Sequence, residues 1–394
     1  MGFAFHAAPP SGEWVNDPNG LVFADGRYRL FVQHSSEGPD FKSIGWARLS
    51  SDDLLRWDWD GPVILPDSTG LAYSGTITLA DDVLTAWLTR HDVPLQRQYR
   101  LVGAEAGAHW RQDAAPLGPE ARNIRDPFVF EFSGTGRRQM LLAEPCDWND
   151  WRVEPASRLS VWEEGDSGWR LIGTIGPWSP PGIMWEVPVL IDDGTSQHLI
   201  ISTIDRRHGN AQCSVRVWPG RYDGRTFVPD EPEGDLLDYG PDFYAACFST
   251  QRNWPLDARV MVAWASNWST ARTTAWPGDI GEGAITLPRN IECRERRIFQ
   301  SPLPAARTLA QIERWEPGNT LALAFDDRFE LGISPAGTVA AQRYKPVWQL
   351  SAPLELAIPT EILIFDDHGL LEIFFEAEGR TMTIFIGSAA NELW

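Results

Sequence analysis

Five polar residues, each heading a run of short strands, divide residues 1–300 into units of nearly equal length. They are Asp17, Ser74 in Tyr73-Ser74-Gly75-Thr76, Asp126 in Arg125-Asp126-Pro127, Glu186 in Trp185-Glu186-Val187-Pro188, and Asp242 in Asp242-Phe243-Tyr244-Ala245. The gaps between them are 57, 52, 60 and 56 residues. Each unit has room for about four short strands, and sheets repeated at that period close around an axis as a five-bladed β-propeller. Equivalent positions of successive blades then converge on one polar cavity. Taken without the repeat, the same strands also satisfy stacked sandwiches.

The strands themselves are plain. Leu84–Leu88, Pro127–Phe130, Gln139–Leu142, Leu159–Trp162, Pro188–Ile191, His198–Ile201 and Arg259–Trp264 are short apolar, β-branched or aromatic runs between Gly, Pro, Asp and Asn. No long stretch keeps a 3.6-residue apolar period, so an all-β fold is expected. Near the N-terminus, Asn16-Asp17-Pro18-Asn19-Gly20 is dense in turn formers and predicts a sharp loop. Leu21–Phe23 and Tyr28–Val32 then predict a hairpin around Ala24-Asp25-Gly26-Arg27. The texture changes after Leu287-Pro288-Arg289-Asn290. Gln300-Ser301-Pro302-Leu303-Pro304 reads as a linker, and residues 305–394 as a small β-sandwich module following the propeller of residues 1–300.

Composition narrows the partners. The net charge of −20 disfavours nucleic acid and anionic membranes. No stretch approaches the ~18 uninterrupted apolar residues of a spanning helix. Cys146, Cys213, Cys247 and Cys293 have no paired spacing, and the seven His are scattered, so reduced thiols and no metal or other cofactor are expected. The residues before Glu13 lack a basic and an apolar leader region, which gives a cytoplasmic expectation. Asn267-Trp268-Ser269 fits a glycosylation triplet, a pattern common by chance. The chain has 20 Trp; aromatics line sugar sites as well as cores.

Asp17, Asp126 and Glu186 lead three of the five units, each with a proline within two residues and a strand beyond. Hydrolysis of a glycosidic bond needs one carboxylate as nucleophile or base and a second, protonated one as acid. In retaining enzymes the two lie ~5–5.5 Å apart. Glu186, between Trp185 and Val187, is expected to keep its proton, and Asp126, with Arg125 beside it, to stay ionised and hold sugar hydroxyls. Trp148, Trp151 and Arg152 form a polar loop that reads equally as a wall for the rest of the substrate or as a loop over a blade edge.

These motifs resemble glycoside hydrolase family 32, the invertases and fructan hydrolases. Trp14 to Gly20 is similar to that family's WMNDPNG box, Arg125-Asp126-Pro127 to its RDP box and Trp185-Glu186-Val187-Pro188 to its WECP box. In order with them stand Leu30-Phe31-Val32-Gln33, Trp46 with Asp53-Leu54 and Trp57, Tyr73-Ser74-Gly75, Asp242-Phe243-Tyr244-Ala245 and Trp264. The resemblance covers residues 3 to 300 closely and the tail loosely. It implies a retaining, exo-acting β-fructofuranosidase that takes a terminal fructosyl unit from sucrose or short fructo-oligosaccharides. Asp17 would be the nucleophile, Glu186 the acid and then the base, and Asp126 the transition-state stabiliser. Asn16, Gln33, Trp46, Ser74, Arg125, Tyr244 and Trp264 would line the fructosyl subsite, with Trp46 and Trp264 as apolar walls.

The departures from the pattern are Val15 for Met, Val187 for Cys, and Trp46-Ala47-Arg48-Leu49 for WGHA, where Arg48 is expected to present a different surface to the leaving group. The same residues serve fructosyl transfer to a sugar acceptor. An arabinose-type furanosidase and a non-catalytic carbohydrate-binding propeller are the further alternatives. A small sugar is the expected partner under each, and the oligomeric state is left open.

Overall fold

The computed structural model describes residues 3–38, 41–146, 156–192, 194, 196–207, 211–249, 254–269, 283–294 and 296–387. Among these residues the fold is all-β, with helix limited to two short 3-10 turns, Glu105–Gly107 and Pro304–Leu309. Trp148, Trp151 and Arg152 lie outside the described residues.

Among the described residues the strands form seven antiparallel sheets. Five follow one another in chain order, and in each the first strand is at one edge and the next strands pair outward in sequence. The leading strands are Trp14–Ala24, Leu71–Ala80, Arg125–Phe132, Ile183–Asp192 and Tyr244–Phe248. Each touches the next, and the fifth touches the first, so they close a ring. One cavity of about 20 Å³ is lined by all five: Pro18 to Gly20, Gly75 to Ile77, Asp126 to Phe128, Val187 to Val189, and Ala246 to Phe248. The ring is tight. A Cβ on Gly20 would lie 2.4 Å from the side chain of Ile77 on the neighbouring leading strand, so only glycine fits there.

In all five leading strands the pairing slips at one depth. It breaks after Val15, Ala72, Arg125, Glu186 and Tyr244 and resumes at Pro18, Gly75, Phe128, Val189 and Cys247. The two residues skipped in each strand form a bulge that re-aims side chains. Asn16-Asp17 is therefore not in a free loop, as the turn-former density predicts, but in a bulge inside a strand. Pro18, which has no N–H to give a ladder, is tolerated beside such an irregularity. The hairpin expected next is present, with Asp25 and Gly26 both at positive φ between Ala24 and Arg27.

The remaining two sheets pack face to face. Gln311–Trp315, Thr360–Asp367, Leu370–Phe375 and Arg380–Phe385 make one, and Leu321–Phe325, Phe329–Ile333, Val339–Tyr344 and Val347–Gln349 the other. Phe329, Leu331 and Ile333 alternate inward against Ile362, Ile364, Ile373 and Met382 in a shared core. The expected linker is not one. Gln300, Ser301 and Pro302 end the outer strand Arg297–Pro302 of the fifth sheet. An edge strand's last residue is where proline costs no ladder bond.

Charged groups are buried where the first five sheets meet the last two. Arg289 donates to Asp238 and Glu372. His6 lies between Asp367 and Glu372 at 2.9 Å from each, and Arg343 donates to Asp242. All of these side chains are buried. Breaking one such pair strands its partner in low dielectric.

Candidate active site

The bulges place the chemistry. In the first sheet the side chains of Asn16 and Asp17 sit beside Gln33, which lies on the paired strand Arg27–Ser35. Asn16 donates to Gln33 Oε1 and, at 3.1 Å, to Asp17 Oδ1. Ser74, in the bulge of the second leading strand, donates to Asp17 Oδ2 at 2.5 Å and accepts from Gln33 Nε2 at 2.8 Å. Trp14 Nε1 fixes Asn16 by donating to its Oδ1 at 2.8 Å. Burial, with Glu186 nearby, outweighs the hydrogen bonds from Ser74 and Asn16 and pushes the Asp17 carboxyl up to about 6.

Asp126 occupies the third bulge with φ of +60°, and Val187 the fourth with φ of +46°. A β-branched residue at positive φ is strained. The strain has a local return, because Val187 N–H donates to Asp126 Oδ2 at 3.0 Å. Asp126 N–H donates in turn to Thr89 Oγ1 at 3.0 Å. Thus position 187 meets the carboxylate through its backbone, and its side chain packs with Met184, Ile204 and Ala245. Burial, and the charges of Glu186 and Asp17, push Asp126 up to about 7 despite Arg125.

Glu186 is held from two sides. Arg125 donates to Oε1 from Nη2 at 2.7 Å and from Nε at 3.1 Å, and the Tyr244 hydroxyl donates to Oε2 at 2.7 Å. The apolar surroundings expected from Trp185 and Val187 are not what the carboxylate meets. Side chains alternate along a strand; Trp185 faces the core, with its indole on Ser179. Arg125 also differs from expectation. It grips Glu186, and its neighbour Asp126 is not held at the ordinary carboxylate value.

Of the predicted site residues, Asn16, Asp17, Gln33 and Ser74 form one hydrogen-bonded cluster, and Arg125, Glu186 and Tyr244 a second. Asp126 lies between the two, within electrostatic reach of both other carboxylates. Trp46 stands opposite Gln33 on the neighbouring strand but joins neither cluster by a hydrogen bond. It is fully buried with Phe31, Ile64, Ala72 and Leu88, and donates to Tyr73 O at 3.1 Å. Trp264 is buried against Trp14, Tyr244 and Trp268, with ring centroids 5.8, 6.4 and 4.9 Å away. Arg48 does not face the carboxylates either. It pairs with Asp60 and donates to the carbonyls of Glu105 and Ala106, holding a turn whose residues have positive φ.

Asp242 is likewise displaced from its expected place. The fifth bulge follows Tyr244, and Asp242 precedes that strand, bound to Asn267 and Arg343. The glycosylation triplet is closed by the same contact, since the Asn267 amide is buried and donates to Asp242 Oδ1 at 2.7 Å.

Residues that the sequence did not single out complete the surroundings. Phe41, Tyr73 and Trp268 are half-buried, with centroids 5.6 Å apart for Phe41–Tyr73 and 5.2 Å for Phe41–Trp268. Tyr73 lay inside a recognised motif and Trp268 inside the glycosylation triplet, whereas nothing in the sequence marks Phe41 or Thr89. Among the described residues no group of three or more His, Cys, Asp or Glu has the arrangement of a metal site.

A family model described as the glycosyl hydrolases family 32 N-terminal domain matches residues 6–302. The chain belongs to glycoside hydrolase family 32. This family 32 hydrolase is 23% identical over 410 residues to the extracellular exo-inulinase of Aspergillus niger, covering 87% of this chain and 74% of that one. It is 26% identical over 374 residues to the levanase of Bacillus subtilis, covering 85% of this chain and 54% of that one. Among solved structures, the sucrose-6-phosphate hydrolase of Lactobacillus gasseri matches with a TM-score of 0.79 at 21% identity, over 98% of this chain and 88% of that one. A fructofuranosidase of Schwanniomyces occidentalis, solved with fructosylnystose, matches at 0.78 and 16% identity, over 98% and 91%. At these identities the likeness to solved structures is one of fold.

Proposed function

We propose that this family 32 enzyme is a retaining, exo-acting β-fructofuranosidase that hydrolyses the terminal fructosyl unit of sucrose or short fructo-oligosaccharides. What carries the proposal is the convergence of Asp17, Asp126 and Glu186, from three different sheets, within electrostatic reach of one another. The exo-inulinase, levanase and sucrose-6-phosphate hydrolase among its relatives support a fructosyl substrate. The closed ring of leading strands supports a five-bladed propeller over residues 1–300. The shared core of the last two sheets supports a small β-sandwich over residues 305–394.

In this mechanism an Asp17 carboxylate oxygen attacks the anomeric carbon while Glu186 gives its proton to the departing glycosidic oxygen. The bond to the leaving sugar breaks and a fructosyl ester on Asp17 forms. Glu186, now the base, takes a proton from water, which attacks the same carbon and returns Asp17 as carboxylate. Ser74 and Asn16 fix the attacking group, and Arg125 and Tyr244 fix the orientation of Glu186. Asp126 meets the positive charge that builds on the sugar ring, along with its hydroxyls.

The test is incubation with sucrose, with glucose and fructose counted separately and the first-formed fructose anomer read by NMR. Equal release with the β-anomer first is expected. Glucose in excess replaces hydrolysis by transfer, an α-anomer overturns retention, and release of neither sugar overturns the substrate.

A further inference from the structure

The active-site side chains are held from behind by a line of contacts that begins in the C-terminal module. Arg343, buried on the strand Val339–Tyr344, donates to Asp242 Oδ2, which also accepts from Phe385 N–H at 2.8 Å. The other oxygen of Asp242 accepts from Asn267 Nδ2 at 2.7 Å, and Asn267 Oδ1 accepts from Ser269 N–H at 2.8 Å. These two bonds pin the residue between them, Trp268. Its ring stacks on Trp14 with centroids 6.2 Å apart and planes 24° off parallel, and sits 4.9 Å from Trp264. Trp14 in turn donates to Asn16, and Asn16 to Asp17. Along the backbone, Asp242 stands two residues before Tyr244, the hydroxyl donor to Glu186.

We infer that Arg343 is a positioning residue for the active site, acting through Asp242 and Asn267 to set the aromatic wall of Trp268 and Trp14 beside Asp17. It touches no reacting atom. One nitrogen, Nη1, donates both to Asp242 and, at 2.9 Å, to Phe385 O, and this makes the buried carboxylate the fixed point of the relay. In this way the C-terminal module determines how well the catalytic unit binds and turns over its sugar, and does more than add stability. For its kinetic readout the inference rests on the fructofuranosidase proposal above.

The test uses the full chain as Arg343→Met, Arg343→Lys, Asn267→Ala and the Met/Ala double variant. Two readouts are taken: kcat and KM for sucrose, and the near-ultraviolet circular dichroism of the tryptophan cluster without substrate. Arg343→Met and Asn267→Ala should each lower kcat/KM about tenfold, with KM rising, and the double variant should lose no more than either alone, because both cut one line. Arg343→Lys should recover most of the loss. Both single variants should change the tryptophan spectrum in the same sense. A lowered thermal midpoint with KM and spectrum unchanged, or losses that multiply in the double variant, overturns the inference. If Arg343→Met does not fold, Arg343→Lys against Asn267→Ala decides by the same spectrum. If the wild type releases no sugar from sucrose, the fructofuranosidase proposal falls, and the spectra still judge the relay.

Discussion

The Tyr244 hydroxyl donates to Oε2 of Glu186 at 2.7 Å, across the junction between the fourth and fifth sheets. Arg125 takes the other oxygen from the third sheet. Glu186 is thus aimed by two side chains that are distant in sequence. For Tyr244→Phe, which removes one oxygen and little volume, kcat should fall about 10- to 100-fold while the thermal midpoint shifts by only a few degrees. Steady-state kinetics beside a melting curve check this. Unchanged kcat would take Tyr244 out of the machinery.

The acid limb of the pH–rate profile should lie near 6, well above an ordinary aspartate. Asp17 must be ionised to attack, and burial pushes its carboxyl up to about 6. Activity therefore rises as pH climbs through that value. Asp126, pushed up to about 7 in the same cluster, makes the limb a property of the pair. Ser74→Ala removes a donor that favours ionised Asp17, so the limb should move upward by about one unit. Profiles of kcat/KM for the two proteins settle it; a limb that stays put, or moves down, contradicts the assignment.

Asp17→Asn should abolish turnover and stabilise the protein at neutral pH. The folded carboxyl titrates near 6 and the unfolded one near 3.8, so between those values the native state binds the extra proton. Stability then falls as pH rises through that window. A neutral Asn escapes the loss. The expected gain at pH 7 is at most about 3 kcal/mol, and it disappears at pH 4. Denaturant unfolding at both pH values provides the comparison, and a variant less stable than wild type at pH 7 would refute it.

His6 should matter most below neutral pH. Burial pulls its pKa down, but hydrogen bonds to Asp367 and Glu372, and their charges, outweigh that and hold it above the ordinary value. A neutral imidazole donates from one nitrogen only, whereas both nitrogens here face carboxylates. With the folded pKa raised, the stabilisation is complete below the unfolded value of 6.5 and is lost as pH rises through the folded one. His6→Gln should cost about 3–5 kcal/mol at pH 6, where a partner is left buried and unpaired, and less at pH 9. A cost that grows with pH in chemical unfolding would show that the imidazolium is absent.

The sequence made the all-β class legible because short apolar runs between turn formers leave no helical period to compete. Every run singled out, from Leu84–Leu88 to Arg259–Trp264, lies in a strand. The near-equal spacing of Asp17, Ser74, Asp126 and Glu186 was visible because each sits within a residue or two of the same bulge in its own leading strand. The fifth member failed. Asp242 is polar and near the right interval, but a buried acid serves an arginine partner as well as a substrate, and only the position of Arg343, far along the chain, decides which.

Trp46 and Arg48 failed for a related reason. Motif position gives a residue's place on a strand, but not what fills the space above it. Trp46 stands opposite Gln33 and Arg48 opposite Phe31 on one face of the sheet, yet Trp46 is enclosed with Phe31, Ile64, Ala72 and Leu88, and Arg48 is taken by Asp60.

What the sequence determined by itself was local: strand propensity, the repeat, and three carboxylates at the heads of three units. What only the tertiary structure decided was pairing at a distance. It turned Asn16-Asp17 into a bulge, gave Arg125 to Glu186, and raised Asp17 and Asp126 by burying them together. Each of these depends on which groups share a low-dielectric space, and that is fixed only when the leading strands close their ring.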